Sequence, residues 1–98
     1  MKTPSPQNTP PFLSILVASR DRPDALQRCL DSIQAQTYAD LEILILDDGS
    51  SEELAGRLRP PADRRVRCFR SESPLGVAGG RNRLAHEAQG HWLVVLDD

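Results

Sequence analysis

Ile43-Leu44-Ile45-Leu46-Asp47-Asp48 is the stretch on which the reading of this chain turns. It belongs to a run from Leu41 that is apolar on nearly every residue after Glu42, as in a strand of a parallel sheet covered on both faces. It ends in two carboxylates. Open α/β sheets place their ligand sites outside the C-terminal ends of the strands, so a buried strand ending in acid delivers its charge to such a site. The pattern recurs at Leu93-Val94-Val95-Leu96-Asp97-Asp98, and two such ends point to one acidic site assembled from both.

Working outward, Leu13 to Ala18 is another short apolar run and reads as a buried strand. Ser19 to Arg22 is a loop, and Pro23 suits the first turn of a helix with Asp21 or Arg22 near its cap. Leu26, Cys29, Leu30 and Ile33 follow at helical spacing on a face that ends near Gln36. The second strand is Leu41 to Leu46, with a turn from Asp47 to Ser51. Ser50 and Glu53 fit a capping box for a short helix to Leu58, stopped by Pro60-Pro61. Val66 to Phe69 is a weaker third strand, Ser71 to Gly80 a Gly- and Pro-rich loop, and Arg81 to Gln89 a helix stopped by Gly90. Trp92 to Leu96 is the last strand. This alternation predicts an α/β fold, a mainly parallel doubly wound sheet with right-handed crossovers. Residues 1–11, with four prolines, read as a disordered leader, and residues 12–98 as one incomplete domain truncated after its fourth strand.

Composition removes several classes of function. A net charge of -2 supplies no field for nucleic acid or an anionic membrane. The arginines from Arg57 to Arg70 are interleaved with Glu52, Glu53, Asp63 and Glu72, and read as a solvated mixed-charge surface. Cys29 and Cys68 lie in apolar segments without zinc or disulfide spacing, which predicts free buried thiols in a reducing, cytoplasmic compartment. The longest apolar stretch, Phe12 to Ala18, is far short of the roughly 20 residues that span a bilayer. Membrane association is therefore left to regions outside these residues.

Three segments carry the chemistry. The carboxylates of Asp47-Asp48-Gly49-Ser50 suit a nucleobase N–H or a ribose hydroxyl, and Gly49 permits a turn with positive φ. The bland alternative is that they start the turn and favour the N-terminus of the next helix. Asp97 and Asp98 suit magnesium or manganese, which take one or two carboxylates while substrate phosphates complete the shell; the alternative is an acidic surface turn. In Leu75-Gly76-Val77-Ala78-Gly79-Gly80-Arg81-Asn82, three glycines before a predicted helix allow close approach of an anion, and Arg81 adds a guanidinium fork. That spacing matches neither the dinucleotide fingerprint nor a Walker loop. Arg20 and Arg22 lie at the same sheet edge and either meet phosphates or pair with Asp21 and Asp24. His86 and His91 lack partners at ligand spacing and read as surface residues, and Trp92 as a core or sheet-edge aromatic.

Taken in order, these pieces resemble the N-terminal, nucleotide-binding half of family 2 glycosyltransferases, inverting enzymes of the GT-A fold. The resemblance runs from Ser14 through Pro23, Leu30 to Tyr38, Leu41 to Ser50 and Gly76 to Asn82, ending with Ala88 to Asp98. It implies that Ala18 and Arg20 line the nucleotide pocket, that Asp48 reads the base with Asp47 supporting the turn, and that Arg81 stands beside the nucleotide. Asp97 resembles the first aspartate of a D-x-D motif that meets ribose and a divalent Mn or Mg ion. Asp98 is then the middle residue with the final ligand beyond it, or in another register a ligand itself. Arg20-Asp21-Arg22 departs from the Tyr-Asn or Arg-Asn of many members, so no aromatic is present there to stack on the base.

The activity implied is transfer of a sugar, with inversion, from a nucleotide-sugar, UDP being the family's commonest carrier, to a hydroxyl of a glycan, lipid or other acceptor. The family's catalytic base and acceptor region lie in a C-terminal half that these residues do not include, so the chain alone is expected to be inactive. Two other readings compete: a non-catalytic nucleotide-sugar-binding remnant, and a magnesium-dependent phosphotransfer domain of the receiver kind. The receiver needs its acidic pair after the first strand, where this chain has Ala18-Ser19.

Overall fold

A computed structural model describes residues 10–59 and 64–98; the leader through Thr9 and the Pro60-Pro61 stop lie outside the described residues. The elements in chain order are β1 (Leu13–Ser19), α1 (Pro23–Gln34), β2 (Leu41–Asp48), a 3-10 turn (Ala55–Arg57), β3 (Val66–Ser71), α2 (Gly76–Glu87) and β4 (Trp92–Asp97). Among the described residues the strands form one sheet in the order β3-β2-β1-β4. Every pairing is parallel, and Val17 of β1 stands between Ile45 of β2 and Leu96 of β4. In such doubly wound sheets the ligand crevice opens where the strand order reverses, here between the C-terminal ends of β1 and β4. The receiver reading fails on this order, because the flavodoxin-like arrangement 2-1-3-4-5 puts β3 beside β1.

The apolar run that decided the fold is the centre of the core. All residues of β2 are buried, and the strand pleat divides them between two layers. Ile43 and Ile45 face a cluster with Ile15, Val17 and the α1 residues Leu26, Leu30 and Ile33. Leu44 and Leu46 face Leu16 and Leu84, the latter from α2. Burying a side chain of this size contributes roughly 1.5–3 kcal/mol, so β2, sandwiched on both sides, is the main apolar anchor.

At the N-terminal edge of the sheet a buried carboxylate fixes the α2–β4 connection. Glu42 accepts hydrogen bonds from the Ser14 hydroxyl at 2.6 Å, the Gln89 backbone N–H at 2.6 Å and Arg67 Nη1 at 3.0 Å. The Gly90 N–H donates to Ser14 Oγ at 2.8 Å, and a side-chain carbon at Gly90 would stand 2.5 Å from that oxygen. Gly90 is thus required by a close approach to β1. Helix α2 has already ended, at Glu87 rather than Gln89.

Several expectations are corrected. Helix α1 ends at Gln34, not near Gln36. Strand β2 continues through Asp47 and Asp48, β3 reaches Ser71, and β4 includes Asp97. No capping box forms at Ser50 and Glu53; the Ser50 hydroxyl accepts the Asp21 N–H instead, and only the 3-10 turn follows. Helix α2 starts at Gly76, so the glycines read as a loop form its first turns. At Gly80 the reason is packing: a carbon added there would stand 3.1 Å from Leu46 Cδ2 and 3.5 Å from Ala18 Cβ. Both cysteines are free, yet neither is buried, Cys29 being half-buried and Cys68 exposed on the edge strand β3. Trp92 takes the sheet-edge alternative and is 63% exposed on β4.

Candidate functional site

Asp47 ends β2 on the α1 side of the sheet and is buried. Its carboxylate accepts the backbone N–H groups of Ser50 at 3.1 Å and Leu54 at 2.9 Å, and Arg70 Nη1 at 2.6 Å. Arg70 stands opposite Asp47 in the β2–β3 register and also donates to the Ser50 carbonyl at 2.9 Å. Burial alone would raise the Asp47 pKa. Hydrogen bonds from the Ser50 hydroxyl and from the Leu54 and Ser50 backbone, with the Arg70 charge, outweigh it and hold the carboxyl below its ordinary value. The arrangement closes the turn after β2 and leaves this carboxylate little to offer a ligand.

Asp48, one residue on, points to the opposite face, as the pleat requires. There it meets the start of α2. The Leu75 N–H donates to one carboxylate oxygen at 2.7 Å and the Gly76 N–H to the other at 3.1 Å. Leu75 occupies the cap position and its side chain makes no capping hydrogen bond, so Asp48 supplies the cap from 27 residues away. Gly49, at φ 76, makes the turn that follows, and a side-chain carbon there would press on Pro74 at 2.9 Å.

The end of β4 is more open. Asp97 is the register partner of Ala18 and lies on the α2 side, its side chain 91% exposed and its Oδ1 3.0 Å from Arg81 Nη2. Ala18 packs into the α2-side cluster, so Ala18, Arg81 and Asp97 share one corner with the start of α2. Asp98 turns the other way. It accepts from the Ser19 hydroxyl and lies 3.9 Å from Arg22 Nε. The two carboxylates expected to share a metal are therefore not brought together, because successive residues at a strand end project to opposite faces. Arg20 is exposed beside Asp21, at 3.8 Å.

Sequence reasoning missed the residues that tie these loops. Asp21 donates its N–H to Ser50 Oγ at 2.8 Å and accepts the Ser51 N–H and hydroxyl at 2.7 and 2.9 Å. The two Ser51 bonds, the backbone one first, lower the Asp21 pKa. Arg70 and Ser19 were missed as well, since their partners depend on strand register. Only the polar composition of the Ser19–Asp21 and Ser50–Ser51 loops hinted at them.

A cavity of about 340 Å³ lies on the α1 flank, lined by Gln27, Arg28, Arg57 and Arg59 among others, and one of about 120 Å³ lies beside Asp47 and Arg70. Neither is lined by Asp48, Arg81 or Asp97. Among the described residues no group of three or more His, Cys, Asp or Glu side chains could hold a metal ion. These donors fit a hard cation only where phosphate oxygens complete the shell. No helix among the described residues is long and apolar enough to cross a membrane.

Order 3-2-1-4 with every strand parallel defines a Rossmann-like α/β unit. The chain belongs to glycosyl transferase family 2, whose profile matches residues 14–98. It is 31% identical over 86 residues to the Escherichia coli UDP-Glc:alpha-D-GlcNAc-diphosphoundecaprenol beta-1,3-glucosyltransferase WfaP, covering 88% of this chain and 34% of that protein. It is 32% identical over 91 residues to the Campylobacter jejuni GalNAc(5)-diNAcBac-PP-undecaprenol beta-1,3-glucosyltransferase, covering 90% of this chain and 29% of that one. Among solved structures it resembles the mannosyltransferase PcManGT from Pyrobaculum calidifontis in complex with GDP-Man and Mn2+. The TM-score is 0.79 at 22% identity, over 97% of this chain and 29% of the other. That likeness bears out the expected GT-A architecture. The chain spans about a third of the length of the curated relatives it matches.

Proposed function

We propose that residues 12–98 are the donor-nucleotide part of an inverting, metal-assisted sugar transferase. The carrying observation is the meeting of Ala18, Arg81 and Asp97 beside the strand-order reversal, in a chain of this family. Ala18 and Arg20 line the nucleotide, Asp48 faces the base with Asp47 holding the turn, and Arg81 stands beside the diphosphate. Asp97 would meet the ribose and help hold a Mn or Mg ion, with Asp98, turned towards Ser19, the second candidate donor. The ion would supply Lewis-acid stabilisation of the departing diphosphate.

The donor is a UDP-sugar, and the acceptor is a hydroxyl on a lipid-diphosphate-linked glycan, the acceptor class in the names of both curated relatives. Such an enzyme works in the cytoplasm, against the membrane face where those acceptors lie. No residue of this chain is assigned as the base that deprotonates the acceptor, so the 98 residues alone bind donor and transfer no sugar. Titration of UDP and GDP into the chain, with and without manganese, tests the reading. Manganese-dependent binding of UDP over GDP, weakened about tenfold or more in Asp97→Ala, is expected. Metal-independent binding untouched by Asp97→Ala would sink it.

A further inference from the structure

Resting on that nucleotide-site reading, we propose that Asp21 is the positioning residue that latches the β1–α1 loop to the turn after β2 and so sets the mouth of the site. Asp21 has φ 54, the one positive value among the described non-glycine residues. A left-handed backbone is tolerated by aspartate but is not free, so the surrounding contacts must hold it there. Three hydrogen bonds do so, and all cross between the same two loops. The Asp21 N–H reaches Ser50 Oγ at 2.8 Å, while Asp21 Oδ1 takes both the Ser51 N–H at 2.7 Å and the Ser51 hydroxyl at 2.9 Å.

The latch runs on into the rigid part of the sheet. Ser50 is buried, its N–H donates to Asp47, and its carbonyl accepts from Arg70. Asp21 is therefore fastened, through Ser50, to the ends of β2 and β3. Its chain neighbour is Arg20, and Asp48 lies two residues before Ser50. Two walls of the proposed pocket are thus tied together through one residue.

The geometry distinguishes acceptor from charge. Both Ser51 bonds end on a single oxygen, which an amide also carries, whereas the second oxygen lies 3.8 Å from the exposed Arg20. Asparagine should keep the latch and alanine should lose it. Removing the negative charge beside a site for an anionic diphosphate should also leave UDP binding no weaker than wild type.

Two measurements on the 98-residue chain test this: exchange protection of the Ser51 amide without nucleotide, and UDP affinity with manganese. Asp21→Ala is expected to lose Ser51 protection and about tenfold in UDP affinity, the size of one or two ordinary hydrogen bonds. Asp21→Asn should match wild type in both. If Asp21→Ala fails to fold by circular dichroism, Ser51→Ala, which removes one exposed hydroxyl, should weaken UDP by about twofold to fivefold. Unchanged affinity there overturns the proposal. Wild-type behaviour of Asp21→Ala, or an Asp21→Asn as damaged as the alanine variant, also overturns it. Protection that follows the acceptor while no variant binds UDP upholds the latch and instead defeats the nucleotide reading.

Discussion

Asp47-Asp48 and Asp97-Asp98 end two strands that flank the same central strand, and as sequence they are the same device. Their surroundings separate them. Strand β2 lies inside the sheet, so its end is ringed by segments that bring donors: the turn to Leu54, Arg70 from β3, and the start of α2. Strand β4 lies at the edge of the described sheet, and Asp97 meets Arg81 in an exposed pair. A buried charge must be paired and hydrogen-bonded to be tolerated, whereas an exposed one is held by little and is free to take a ligand. Asp47 and Asp48 are therefore held by their surroundings, whereas Asp97 stands open.

The comparison breaks most readily at Asp47. Asp47→Ala removes the buried acceptor shared by Arg70 Nη1 and the Ser50 and Leu54 backbone N–H groups, and should cost about 3–5 kcal/mol of unfolding free energy. Asp97→Ala, in contrast, should change stability by less than about 0.5 kcal/mol. Urea denaturation of the two variants measures the difference. Equal costs would mean that the interior pair is no more structural than the edge pair.

Asp48 should fall between them. Asp48→Ala bares the Leu75 and Gly76 N–H groups at the start of α2, a loss of about 1–3 kcal/mol. Amide exchange should show it locally, with those two amides losing protection while the β1–β2 ladder keeps its own. Uniform loss along the chain would mean that the cap has no separate role.

The alternation of strands, the parallel sheet and the strand ends were legible because each rests on local pattern: apolar runs covered on both faces, then acid, glycine or proline. What escaped was non-local. Gly80 has poor helix propensity, yet it lies in helix where α2 passes close to Ala18 and Leu46. The α2 cap comes from Asp48, far outside the window in which a cap is sought. Ser50 and Glu53 have capping-box spacing, but the Ser50 hydroxyl is taken by Asp21 across the sheet edge. The site was legible as a set of strand ends, while the division of labour within each pair was not. Facing is set by the pleat and pairing by register, and a two-letter repeat carries neither.

The smallest effect is one of slope with pH. Asp47 has a folded-state pKa below its unfolded value near 3.8, despite the burial that opposes this, because the Ser50 and Leu54 donors and Arg70 favour the charged form. Its stabilisation is complete above that unfolded value and is lost as pH falls through the lower folded one. The protein should therefore lose stability on acidification below about pH 4, and Asp47→Asn, less stable throughout, should show a shallower fall. Urea midpoints measured down the acid limb test this. An acid slope that Asp47→Asn leaves as steep as in the wild type would mean that the charge on Asp47 is not what its Ser50, Leu54 and Arg70 donors stabilise.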